Sequence, residues 1–176
     1  MNIQQIVLVV INVIGGVGVI GSYLYGLGAQ AGGANALWGG VPAAVRPLYT
    51  ISMILSAIGY FLFLYFIIFR LDSTQVSIAG KFSFSLFFAI FLLILLPSAL
   101  WMPLTNFFVQ SPSTGTWVMV RLVLSLVGIG SVALVWALLS LPVREGIGYW
   151  LAVGGGVYFA FHTVVLDAII WAALYK

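Results

Sequence analysis

Residues 83–102 read SFSLFFAIFLLILLPSALWM, a Phe/Leu/Ile run without a single ionisable side chain. At about 1.5 Å of rise per residue, a helix of about 20 residues covers a hydrocarbon core of about 30 Å. Four more stretches of the same kind flank it, at 6–26, 47–69, 117–141 and 149–174. In lipid each backbone N–H and C=O must find its partner within the segment. These runs are too long and too uniformly apolar for barrel strands. The expected fold is therefore all-α and integral to the membrane: a five-transmembrane-helix bundle over residues 1–176, forming one domain.

Composition supports the same reading. Hydrophobic residues make up 64% of the chain and charged residues 5%, against about 25% charged in a soluble domain. The longest connections, 27–46 and 70–82, are too short for a core of their own and read as caps on the bundle. The net charge of +3 is spread over several loops. It forms no Lys/Arg cluster of the kind that binds nucleic acid or anionic headgroups. With no cysteine, disulfides, thiolate metal sites, iron–sulfur clusters and covalent c-type haem attachment are excluded.

The first apolar run is followed by Ala29-Gln30-Ala31, which has the small-x-small look of a signal cleavage site. Residues 1–5 carry no Lys or Arg, however, so the run reads as a retained helix. Arg70, Lys81 and Arg144 fall on the side of the N-terminus; Arg46, Arg121 and Lys176 fall on the other. The tie is broken toward N-terminus inside by the paired Arg70 and Lys81.

Small residues punctuate the helices. In the first, Asn12/Gly16, Gly18/Ser22 and Ser22/Gly26 repeat on neighbouring turns and predict close packing through Gly18 and Ser22. The same stretch spells Gly16-x-Gly18-x-x-Gly21, but a dinucleotide fingerprint requires a preceding strand, and none exists here. The second helix opens at Pro47 and carries Ser52, Ser56 and Gly59 on one face. The third meets Pro97 and Pro103, which predict distortion toward its end. The fourth places Ser125, Gly128 and Ser131/Val132 along one side. The fifth contains Gly154-Gly155-Gly156 and then His162, Thr163 and Asp167.

Ionisable side chains inside a membrane are costly, so each is a candidate for function. Arg121 lies near enough to its helix end to snorkel. Asp167 is expected to face protein or a water-filled cavity, with Thr163 on the same face. His162, the sole histidine, could hold one haem or chlorophyll axially, but α-helical spacing puts it on a different face from Asp167. No catalytic triad, HExxH pair or phosphate loop falls on suitable structure, so no enzyme is expected. Six Trp, eight Tyr and thirteen Phe offer flat surfaces for a planar ligand, although interfacial belts account for most of them.

Two local motifs carry a resemblance. Trp101-Met102-Pro103-Leu104 resembles a Trp-x-Pro-Leu-Phe-Phe element, with Thr105 and Asn106 in place of the two Phe. Leu166-Asp167-Ala168-Ile169-Ile170-Trp171 resembles Leu-Asn-x-x-Ile/Val-Trp, with Asp in place of Asn. Together with five helices and a long first loop, these features resemble the translocator protein family, the tryptophan-rich sensory proteins or peripheral-type benzodiazepine receptors. The family's helix 2 entrance is present only as Trp38, Pro42, Pro47 and Gly59. The resemblance implies a homodimeric receptor whose cavity, beneath the first loop, binds porphyrins or sterol-like molecules. The ligand-binding positions it implies are Trp38, Pro42, Trp101, Asp167 and Trp171.

Three functions follow as expectations. One is a receptor or carrier for a flat hydrophobic molecule such as a porphyrin, haem, chlorophyll or sterol, with no cofactor required. A second is a non-catalytic structural subunit of a larger respiratory or photosynthetic membrane complex, favoured by the small-residue faces that need partners. A transporter with an ion site in mid-membrane is the third. On the receptor reading, Trp101 and Trp171 border one cavity capped by residues 27–46.

Overall fold

The computed structural model describes residues 1–28, 33–142 and 144–175; Ala29, Gln30, Ala31 and Lys176 lie outside the described residues. Five helices are long and apolar enough to cross a membrane. They are α1 (Ile3–Gly28), α2 (Arg46–Tyr65, continued by a π-helical turn Phe66–Arg70), α3 (Leu86–Gln110), α4 (Thr114–Leu139) and α5 (Gly146–Ala160). α5 runs on through a π-helical segment, Phe161–Trp171, into a last turn at Ala172–Leu174. The outer surface carries Ile14, Val17, Ile20, Leu24, Phe61 and Leu122, all more than half exposed. Such a surface suits a solvent of acyl chains.

Packing follows the glycines. α3 lies between α1 and α4, while α5 lies between α4 and α2. A Cβ on Gly59 would sit 2.6 Å from the Gly155 carbonyl oxygen, and one on Gly155 would sit 2.7 Å from the Gly59 carbonyl oxygen, so α2 and α5 touch backbone to backbone. A Cβ on Gly130 would come within 2.8 Å of Ile94, which brings α3 and α4 close. On α4, Gly128 and Ser131 turn inward, whereas Ser125 and Val132 turn outward.

Two expectations about these helices change. The tightest approaches of α1 to α3 are at Gly15, where an added Cβ would lie 2.7 Å from Leu95, and at Gly26, where it would run into Met102. Gly18 meets Ala99 only at an ordinary 3.8 Å, and the Ser22 hydroxyl turns back to the Val19 carbonyl. The seam lies to one side of the Gly18/Ser22 row because Leu95 and Met102 are the large side chains that must be accommodated. α3 also continues through Pro97 and Pro103 to Gln110 rather than ending near residue 102. A span in lipid keeps its backbone paired, and the Thr105 hydroxyl adds a bond to the Trp101 carbonyl at 2.9 Å.

The interior has three layers. Toward the N-terminal end of α1, Phe63, Ile67, Phe84, Phe87, Phe91, Leu134 and Tyr149 form an apolar cluster. At the other end, Val41, Tyr49, Val120, Leu124 and Trp171 form a second, with Trp101, Trp117 and Tyr175 packed against it. Between them lie the buried polar side chains Ser52, Ser56, Ser131, His162 and Thr163.

The connections tie the ends. Asn2 donates through its side chain to Ser73, and Gln5 Nε2 donates to the Ile68 carbonyl at 2.8 Å. These bonds join the start of α1 to the end of the second span. In the second connection, the Thr74 hydroxyl (2.7 Å) and then its N–H (2.9 Å) hold the exposed Asp72 carboxyl below the usual carboxylate range. The first connection contains a 3-10 turn, Gly33–Trp38, and leads into Pro47 in the first turn of α2.

Candidate ligand cavity

The polar layer is joined across helices by side-chain bonds. Ser52 Oγ on α2 lies 2.9 Å from His162 Nδ1 and accepts a bond from the Tyr158 hydroxyl at 3.1 Å. Ser131 on α4 and Thr163 meet hydroxyl to hydroxyl at 2.8 Å. Closer to α1, the Tyr60 hydroxyl donates to Asn12 Oδ1, and Asn12 Nδ2 donates to the Leu8 carbonyl at 2.8 Å. Paired polar groups of this kind are the form in which a bundle interior tolerates them.

His162 and Asp167 do not lie on different faces: Nε2 of one is 3.6 Å from Oδ2 of the other. The π-helical segment Phe161–Trp171 is the cause. An i→i+5 repeat stacks residues five apart, where a 3.6-residue turn would separate them by well over a quarter-turn. Helices of this type are rare and concentrate at functional sites. Thr163 and Asp167 both reach the same cavity.

That cavity has a volume of about 680 Å³ and takes wall residues from all five spans. α1 leans on α3, so its outer turns stand away from α2. Val13, Val17 and Ile20 on one lip and Met53 and Phe61 on the other line the cavity while remaining exposed on the outer surface. The mouth thus opens on the exposed apolar surface of the bundle. Inside, the wall is apolar except for a band that includes Asn12, Ser56, Tyr60, His162, Thr163 and Asp167. Asp167 leaves a third of its side chain open toward this space, 33% against 8% for His162.

The five implied ligand residues divide into two groups. Trp101 and Asp167 line the cavity. Trp101 Nε1 is buried without a hydrogen-bond acceptor among the described residues, and its ring centroid is 5.5 Å from that of Tyr23. Trp171 stands one ring behind, edge-on to Trp101 at 5.5 Å, and donates its Nε1 to the Leu37 carbonyl at 3.2 Å. Trp38 packs edge-on to Tyr49 at 5.9 Å under the Arg46 guanidinium, and Pro42 is exposed on the connection. Trp38 and Pro42 therefore belong to the cap at the end of the bundle, and the cap rests on Trp171 and Tyr175 of the fifth span.

Sequence reasoning missed Asn12, Tyr23 and Tyr60 as wall residues. For Asn12 and Tyr23 the signal was helical spacing, since Asn12, Gly16 and Tyr23 recur at i, i+4 and i+11 and so share a face. His162 could offer a metal only Nε2, because Nδ1 is engaged by Ser52. Among the described residues no group of three His, Cys, Asp or Glu side chains converges. A second cleft of about 570 Å³ lies at the opposite end, among Arg70, Asp72, Glu145 and Tyr149. It opens beside the second connection and lacks the buried polar band.

No protein-family model, curated protein or solved structure matches this chain.

Proposed function

We propose that this protein is a membrane receptor or carrier that takes a flat hydrophobic molecule, of tetrapyrrole or sterol type, from the bilayer into the cavity between its helices. One observation carries the reading: a cavity of about 680 Å³ whose mouth lies between two lipid-facing helices and whose apolar wall ends in a few fixed polar groups. Ligand sites in proteins have this size and this mixture, with apolar area supplying affinity and a few polar atoms fixing orientation. The likeness of residues 101–104 and 166–171 to translocator motifs supports the same reading.

The test is a titration of the detergent-solubilised protein with an uncharged porphyrin diester. Trp101 forms part of the wall and Trp171 is 5.5 Å from it, so a bound porphyrin accepts excitation energy from both indoles. The expected result is saturable quenching of tryptophan fluorescence, weakened in Trp101→Leu. Quenching that stays linear and matches a free-tryptophan control would sink the receptor reading and favour a structural subunit of a larger complex.

A further inference from the structure

The polar end of the cavity has a chemistry of its own. Asp167 presents an open carboxylate to the space, and among the described wall residues there is no Lys or Arg to pair with it. His162 Nε2, at 3.6 Å, is beyond hydrogen-bond distance. The aromatic rings of Tyr23, Tyr60 and Trp101 share the same wall. A carboxylate beside electron-rich ring faces is the arrangement that selects organic ammonium ions, because the ring quadrupole and the negative charge both attract a cation that sheds its water easily. A carboxylate facing apolar space with no Lys or Arg beside it is costly, and a ligand cation relieves that cost.

We infer that the cavity is selective for lipophilic cations: molecules with a flat or chain-like apolar body and one ammonium group, bound with the ammonium between Asp167, Tyr23 and Trp101. This inference rests on the receptor reading of the cavity and adds that the apolar ligand it takes carries an ammonium group. The body extends along the seam toward Val9 and Ile68, which line the other end of the cavity. From Val9 to Tyr23 the α1 wall measures about 21 Å at 1.5 Å per residue, long enough for a four-ring system or a long alkyl chain. Carboxylated ligands are disfavoured, since their charge would face Asp167.

Three pyrene probes that differ only in one substituent test the inference: a pyrenylmethyl trimethylammonium, pyrenemethanol and pyrenecarboxylate. Pyrene accepts tryptophan emission, the trimethylammonium is charged at every pH, and a non-ionic maltoside detergent without protein controls for partitioning. The expected result is that the cation binds about tenfold or more tighter than the alcohol and the carboxylate binds weakest. Asp167→Asn should abolish the cation's advantage over the alcohol, and Asp167→Glu should keep it. Should the Asn variant fail to fold, the ranking of the three probes on the unaltered protein and on Asp167→Glu still decides. Saturable binding of the alcohol with no preference for the cation overturns the inference and leaves the receptor reading standing. A preference that survives in Asp167→Asn overturns it too. Saturable binding by none of the three probes overturns both.

Discussion

Ser52 is the joint between the second and fifth spans: it accepts from Tyr158 and faces His162 Nδ1 at 2.9 Å, while only 6% exposed. Ser52→Ala removes one hydroxyl and leaves the buried His162 Nδ1 and the half-buried Tyr158 hydroxyl without this partner. Unsatisfied groups of this kind cost about 1–3 kcal/mol each, so the variant should unfold at clearly lower denaturant in detergent. Ser125→Ala, on the lipid-facing side of α4, is the control and should change little. Equal stability of the two would mean that the polar layer contributes nothing. At this scale the sequence was legible in part. Asp167 could be assigned to protein or a water-filled cavity rather than to lipid, because an unpaired carboxylate aimed at acyl chains is expensive. Its proximity to His162 could not be read, because a 3.6-residue period separates the two and nothing in FHTVVLDAIIW announces an i→i+5 register. Nor could the cavity wall be told from its backing layer: Trp101 and Trp171 both sit in apolar helix, and only tertiary packing puts one ring behind the other.

Among the elements, α2 and α5 depend on each other most directly. The small face Ser52, Ser56 and Gly59 was readable because serine and glycine at i, i+4 and i+7 in an apolar helix have few uses other than close approach. Gly59 indeed meets the backbone of Gly155. What stands there is a carbonyl and a Cα, neither of which can rotate away. Gly59→Ala should therefore force the helices apart and destabilise by about 1–3 kcal/mol, the usual cost of overpacking. Gly154→Ala, one residue from the contact and with nothing within 4 Å of its added Cβ, should be neutral. A thermal-unfolding series in detergent separates the two. Helix 1 shows where such pattern reading stops. Its many glycines offered several seams, and the partner's Leu95 and Met102, unknown to the helix itself, chose Gly15 and Gly26.

For the whole molecule, the arrangement that matters is the gap between α1 and α2, which are joined at Asn12–Tyr60 and at the start of α1 and open between Val13–Ile20 and Met53–Phe61. Five spans could be counted from hydropathy alone, because length and apolar content are properties of each segment. Which spans touch is set by pairwise fit, and that information is distributed over side chains far apart in sequence. The gap can be tested with two adjacent glycines. A Cβ on Gly15 would lie 2.7 Å from Leu95 Cδ1 and 2.9 Å from Leu95 Cβ, inside the α1–α3 contact. A Cβ on Gly16 would meet nothing within 4 Å, and Gly16 lines the cavity. Gly15→Leu should accordingly unseat α1 and lower thermal stability, by about 1–3 kcal/mol or more. Gly16→Leu should fold normally, since its side chain enters open space, yet occupy the room that a ligand needs. The expected signature is a pair of opposites: lost stability at residue 15, and intact stability with lost porphyrin quenching at residue 16. If Gly16→Leu binds as well as the unaltered protein, the ligand does not enter between α1 and α2, and the cavity is a packing defect of a bundle that works by other means.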